Sequence, residues 1–239
     1  MISVIVPVMN EAERIVKLIE SLQGLRGEKE IIISDGGSTD GTMEKLRAID
    51  TVKTVQAASG RGTQMNAGAS LAKGNILWFV HADSVLSPSS LIDIENAVAD
   101  GAIGGFFRLY FYDADDGFMR FIARTSHTRA KRFCLIFGDQ GLFLRRDVFD
   151  GLGGFADIPL MEDWEISMRL RQFHKQGMIR ALDTEIGTSA RRYIENGRFK
   201  TWLKMNTVKA LYILGVPAKI LRRIYDGRTH NIFTASNRP

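Results

Sequence analysis

Four short runs rich in β-branched and aromatic residues alternate with helix-forming segments across the first hundred residues. They are Ser3–Pro7, Glu30–Ser34, Val52–Gln56 and Ile76–Val80. Between them, Ile15, Leu18, Ile19 and Leu22 recur at helical spacing within Glu11–Gln23, and Met43, Leu46 and Ile49 share a second helical face. A third helix opens in the glycine-rich segment Gly60–Gly68 and ends near Gly74, and a fourth begins at Pro88, where proline suits the first turn. Strict β-α alternation of this kind predicts an α/β fold: a mostly parallel central sheet with helices on both faces.

The second half follows a different rhythm. Strands are expected at Ile103–Tyr112, Gly141–Leu144 and Met178–Leu182, and helices at Phe118–Lys131 and Asp163–Gln176. Two more helical pieces, Phe199–Leu214 and Ala218–Tyr225, are separated by Gly215-Val-Pro217. No linker, repeat or low-complexity stretch divides the 239 residues, so one domain is expected. Within it, residues 1–100 are expected to form a nucleotide-binding half, 101–190 an acceptor-facing half, and 191–239 a basic helical tail.

Ligands of open α/β sheets bind at the carboxyl ends of the strands. Polar clusters follow three of the strands here: Pro7 to Glu11, Asp35 to Asp40, and His81 to Ser84. A carboxylate only accepts hydrogen bonds. Asp35 therefore suits a base edge that presents N–H groups, as uracil and guanine do. The same segment reads as a tight turn whose Ser38 or Thr39 caps the next helix and leaves Asp35 free. Asp83, at a strand end, suits Mg²⁺ or Mn²⁺ bridging phosphate oxygens. His81, one residue removed along an extended chain, points the other way unless the strand has ended there; it can join a Mn²⁺ ion, touch the ribose, or pack and support the site, with the last slightly favoured. Gly60-Arg61-Gly-Thr-Gln64-Met-Asn66 offers permissive backbone, a cation and a helix start for phosphate or ribose. Three acids in four residues, Glu162, Asp163 and Glu165, open the later helix. Dipole compensation accounts for part of this, and a carboxylate there can also act as general base towards a hydroxyl.

The formal charge of +5 suits an anionic partner, and the stretch from Arg191 to Arg228 is decidedly basic. Phe199, Trp202, Leu203, Leu211 and Ile213 are interleaved there with Arg198, Lys200, Lys204 and Lys209. That pattern fits a helix in an anionic membrane interface, and equally a packed helix with a solvated rim. No nucleic-acid module accompanies it. The single cysteine, Cys134, reads as a buried hydrophobe. With no signal-like start and no apolar run long enough to span a bilayer, the expected location is the cytosol, including the inner face of the membrane.

Taken together, Val4-Ile-Val-Pro-Val-Met-Asn10-Glu11, the acidic-glycine turn at Asp35, Ala82-Asp83 and Glu162-Asp163 resemble the family 2 glycosyltransferases in order and approximate spacing. Within that family, the Gly-Arg-Gly-x-Gln-Met-Asn and His-Ala-Asp segments are similar to those of a small bacterial subgroup. The resemblance covers residue 2 to about Tyr225. It implies a GT-A fold, a sugar-nucleotide donor, a divalent metal and inversion at the anomeric carbon by single displacement. The Asp35 reading favours a UDP- or GDP-sugar, and membrane contact through the basic aromatic stretch would bring the enzyme to a lipid-linked or lipid-like hydroxyl acceptor. The resemblance implies that Pro7, Asn10 and Glu11 line the nucleotide pocket, that Asp35 reads the base, that Asp83 binds metal and diphosphate, and that Asp163 is the base. His81 departs from the pattern, standing where the family has a first acid. Arg191-Arg192-Tyr193 loosely resembles an Arg-Arg-Trp element near acceptor and diphosphate, and reads equally well as a solvated basic turn. A sugar-phosphate nucleotidyltransferase would need a basic glycine-rich loop directly after the first strand. A non-catalytic nucleotide-sugar binder would not need Glu162-Asp163.

Overall fold

The computed structural model describes residues 1–227; the end of the expected basic tail, 228–239, lies outside them. β1 (Ile2–Val8) is buried along its whole length. Its alternate residues pack on opposite faces of the sheet. Val4 and Val6 join one apolar cluster, while Ile5 joins another. The first cluster takes in Ile15, Leu18, Ile19 and Leu22 of α1 (Ile15–Gln23), the four residues whose spacing predicts that helix. This helix begins at Ile15 rather than Glu11, because the Glu11 carbonyl accepts from both Arg14 and Ile15 and closes a turn there.

β2 (Lys29–Asp35), α2 (Thr42–Arg47), β3 (Lys53–Gln56), α3 (Arg61–Leu71) and β4 (Ile76–Phe79) complete the alternating half. α3 lies on the face opposite α1, and Gly68 lets it come close. A Cβ at that position would lie 2.5 Å from the Ile5 Cγ2 methyl. After β4 come β5 (Val85–Leu86), α4 (Ser90–Ala99), β6 (Gly104–Phe111), α5 (Gly117–Phe133), a single 3₁₀ turn at Gly138–Gln140, and β7 (Phe143–Arg145). α6 (Arg146–Gly151), α7 (Glu162–Lys175), β8 (Ile179–Thr188), α8 (Arg191–Asn196), α9 (Arg198–Ile213) and α10 (Ala218–Tyr225) follow.

The sheet runs β3-β2-β1-β4-β7-β6-β8-β5. Four of its seven pairings are parallel, β7 runs antiparallel between β4 and β6, and β5 runs antiparallel to β8. The sheet is therefore mostly parallel, as the alternation predicts. β8 continues six residues beyond the expected Leu182. Its polar residues Asp183 and Glu185 are exposed, so the alternation there belongs to a strand with one solvated side. Two smaller apolar clusters build the second half. One joins Leu109, Phe111, Met119 and Tyr193, and the other joins Leu160, Trp164, Val208 and Leu221. The space between them is where the site lies.

Candidate functional site

The loops after β1 and β2 are joined to each other. The Ser38 hydroxyl accepts from Asn10 N–H (2.8 Å), Asn10 Oδ1 accepts from Thr39 N–H (2.9 Å), and Asp40 accepts from Ala12 N–H (2.9 Å). Asn10 holds a left-handed backbone, φ 57°, to reach this position. Asp35 is fully buried, and its carboxylate accepts from Gly37 N–H, Ser38 N–H and the Ser38 hydroxyl. This corrects the expectation that a hydroxyl caps α2 and leaves Asp35 free. The Ser38 hydroxyl turns inward to Asp35, and the Asp40 carboxylate accepts from Thr42 N–H (3.0 Å) at the start of α2.

The glycine-rich segment is also largely structural. Gln64 Nε2 donates to Val8 O (2.7 Å) and Ser34 O (2.9 Å), tying together the ends of β1 and β2. Asn66 pairs with both the N–H and the C=O of Phe155. Both side chains are engaged with backbone, and neither lines the cleft described below. Gly60, with φ 149°, turns the chain into α3. Arg61 points the other way: its Nε lies 2.7 Å from Glu162 Oε1. Glu162 is 2% exposed, and burial raises its pKa while Arg61 opposes the rise.

A cleft of about 780 Å³ collects the remaining candidates. Pro7, Glu11, Arg61, His81, Ala82 and Asp83 reach it from the first half, and Asp163, Arg191, Arg192 and Tyr193 from the second. Glu162 borders a small recess that it shares with His81, Gly138 and Asp163. Asn10, Asp35 and Gly60 do not line the cleft.

His81 and Asp83 face the same space because β4 has ended at Phe79. A turn closed by Ser84 N–H to His81 C=O (3.1 Å) replaces the extended geometry that would separate them. The His81 ring abuts Gly138, where a Cβ would stand 2.3 Å from Nε2. Burial, with Arg61 and Arg192 nearby, pulls the His81 pKa down to about 3, so the imidazole is neutral at ordinary pH. Burial also raises the carboxyl of Glu11. Asp83 pushes it further up, while Arg14 and Arg191 pull it down.

Asp163 is held from two directions. Its Oδ2 accepts from Gly138 N–H (3.1 Å) and its Oδ1 from Trp164 N–H (2.7 Å). One turn further along α7, the Ser167 hydroxyl bonds both the N–H and the C=O of Ile136. The 136–140 segment therefore rides on α7 and fixes where Gly138 meets Asp163. Met161, immediately before the helix, adopts a left-handed backbone (φ 72°), an uncommon conformation for a side chain of its size.

Several cleft residues escape sequence reasoning. Asp139 lies in the 3₁₀ turn, with its Oδ1 buried and unpartnered. Arg129 and Lys209 both stack on Phe137, at 4.2 and 5.2 Å from its centroid. Burial and the charge of Arg129 push Lys209 down to about 8. Arg192 contacts the Tyr225 hydroxyl and lies 5.5 Å from that ring's centroid. The only sequence signal for Asp139 is a Gly-Asp-Gln triplet between an apolar run and a strand, which by itself reads as a turn.

A twisted, mostly parallel sheet with carboxylates from both halves of the chain meeting in one cleft is the GT-A architecture, and solved structures of that fold superpose on it. The chain aligns with S. aureus TarS (residues 1–349) at a TM-score of 0.63 and 18% identity, covering 79% of this chain and 60% of that one. It aligns with the mannosyltransferase PcManGT from Pyrobaculum calidifontis, solved with GDP-Man and Mn²⁺, at 0.60 and 17%, covering 88% and 61%. TarS has also been solved with UDP-GlcNAc. Residues 3–153 match the glycosyl transferase family 2 description, and the chain belongs to that family. An uncharacterized glycosyltransferase of Nostoc sp. is 33% identical over 123 residues, which span 48% of this chain and 38% of that relative. The chain thus matches well under half the length of that relative.

Among the described residues, no three His, Cys, Asp or Glu side chains converge on a ready-made cation position. Mg²⁺ and Mn²⁺ commonly take one or two carboxylates and complete their shell with substrate phosphates and water. Asp83 in the cleft, and the orphaned carboxylate oxygen of Asp139 on the same cleft, fit that arrangement.

Proposed function

We propose that the chain is an inverting glycosyltransferase that moves a sugar from a UDP- or GDP-sugar to a hydroxyl acceptor. Asp163 serves as general base and Asp83 holds Mn²⁺ or Mg²⁺. The observation that carries this reading is that Asp83 and Asp163, contributed by opposite halves of the chain, line one cleft. The UDP-GlcNAc and GDP-Man found in structures of similar fold support a nucleotide-sugar donor. We also propose membership of the subgroup carrying Gly-Arg-Gly-x-Gln-Met-Asn; the contacts of Arg61 with Glu162 and of Asn66 with Phe155 give that segment a role in joining the two halves.

Glu162 is engaged by Arg61, so Asp163 is the acid of the pair that faces the acceptor. Its carboxylate takes the acceptor proton as the acceptor oxygen bonds to the anomeric carbon. The bond to the diphosphate breaks at the same time, and its electron pair leaves with the phosphate. Such a transition state is oxocarbenium-like. The Gly138 and Trp164 N–H groups hold the carboxylate in position, which removes rotamers that would misdirect it. Arg191 and Arg192 face the growing negative charge, and a bound divalent cation would neutralise part of it. Pro7 and Glu11 border the donor.

The acceptor side favours an apolar, lipid-linked molecule. Phe121, Trp202, Met205 and Ile213 line the cleft, and Phe121 and Ile213 are also exposed. On α9, Phe199 and Leu203 are exposed beside Lys200 and Lys204, and Leu214 follows at 78% exposure. This supports peripheral contact with an anionic membrane. Among the described residues, no helix is long and apolar enough to cross one.

The test is turnover of UDP- and GDP-sugars by the purified chain with and without Mn²⁺. Metal-dependent release of UDP or GDP supports the enzyme, whereas tight binding without any turnover supports a nucleotide-sugar-binding protein.

A further inference from the structure

We propose that Asp139 supplies the second carboxylate of the divalent cation site, replacing the acid that His81 displaces from the Ala82-Asp83 element. The inference rests on the metal-dependent reading given above. His81 carries an imidazole in place of a carboxylate and is closely packed against Gly138, so it brings no negative charge to the site. The residue after Gly138 brings one to the same cleft wall. Asp139 lines the cleft, and it stands within the electrostatic reach of both Asp83 and Asp163.

The condition of its carboxylate calls for a ligand. Oδ1 is buried without a hydrogen-bond partner, and buried acceptors of this kind are rarely left unsatisfied. Arg129 and Lys209 are nearby, yet among the described residues neither forms an ion pair with Asp139 within 4.0 Å. Both cations are drawn instead onto the face of Phe137. An unpaired carboxylate lining the same cleft as Asp83 offers a hard cation two oxygen donors from separate loops and leaves its other positions for phosphate and water. The turn is also held firmly, since α7 bonds the chain at Ile136 and again at Gly138. The rival role is that of a simple counter-ion to Arg129 and Lys209.

The experiment is Mn²⁺ titration of the full chain, with free ion followed by electron paramagnetic resonance, alone and with saturating UDP or GDP. Asp139→Asn and Asp83→Asn should each weaken Mn²⁺ binding by about tenfold or more, while Asp163→Asn leaves it close to wild type. A melting temperature accompanies each variant, and Asp139→Ser takes the place of Asp139→Asn should the latter not fold. Loss of melting temperature with unchanged Mn²⁺ affinity makes Asp139 a counter-ion and overturns the assignment. If Asp83→Asn weakens Mn²⁺ binding and Asp139→Asn does not, this inference fails while the metal-dependent reading stands. If neither does, both fail.

Discussion

Arg61 Nε sits 2.7 Å from Glu162 Oε1, joining the start of α3 in the first half of the chain to the start of α7 in the second. Removing the cation leaves Glu162, 2% exposed, without its partner. Breaking a buried pair in this way is strongly destabilising. Arg61 itself is 39% exposed and solvent-screened, so Arg61→Met should cost about 2 kcal/mol rather than the full buried value. Glu162→Gln in the Arg61→Met background should recover much of that loss. Urea denaturation of the two single variants and the double variant gives the coupling directly; additive losses would show that the pair is not coupled.

That pairing illustrates which parts of the molecule are legible in sequence. The alternating strands and helices, the sheet built on β1, and the placing of polar clusters at strand ends follow from local periodicity, because burial on two faces leaves a two-fold and a 3.6-fold signature. Asp83 and Asp163 are legible as candidates because one stands at a strand end and the other at a helix start, and the fold brings both to one cleft. The partners of Arg61, Gln64 and Asn66 are not legible. All three sit in one glycine-rich segment, and contacts over 30 to 101 residues of sequence decide that Gln64 and Asn66 strap backbone while Arg61 meets Glu162. Asp139 is hidden for a similar reason, since only the fold brings its turn beside His81.

Gly138 is predicted to tolerate no side chain. A methyl there would stand 2.3 Å from His81 Nε2, and the same residue's N–H holds Asp163. Gly138→Ala should destabilise the fold by about 1–3 kcal/mol through overpacking. It should also reduce donor turnover more than nucleotide affinity, because Asp163 loses its anchor. A melting curve and a steady-state assay check the two effects separately.

Glu30 gives a pH dependence with a defined sign. Burial pushes its carboxyl up, but hydrogen bonds from Lys53, Ser3, Lys73 and Gly74 outweigh this and bring it down to about 2. The unfolded chain therefore takes up a proton at a higher pH than the native one. The stabilisation is fully present above the ordinary glutamate range and is lost as pH falls towards 2. Glu30→Gln should flatten the fall in melting temperature between about pH 5 and pH 3; an unchanged slope would contradict the assignment.

Membrane contact has a direct assay. The purified chain should float with vesicles containing anionic lipid at moderate salt, and Phe199→Ser/Leu203→Ser should abolish this without lowering the melting temperature, since both side chains are exposed. Recovery of the wild-type chain in the unbound fraction counts against the interface.

In the proposed mechanism Asp83 and Asp163 divide the labour across one cleft, Asp83 on the donor side and Asp163 on the acceptor side. The most direct measurement is calorimetric titration of UDP and GDP, with and without Mn²⁺, into wild type, Asp83→Asn and Asp163→Asn, alongside donor turnover. Asp163→Asn should bind nucleotide within about twofold of wild type while losing about a hundred- to ten-thousand-fold in turnover, and Asp83→Asn should lose the metal-enhanced part of nucleotide affinity. Equal loss of nucleotide affinity in both variants would contradict the account.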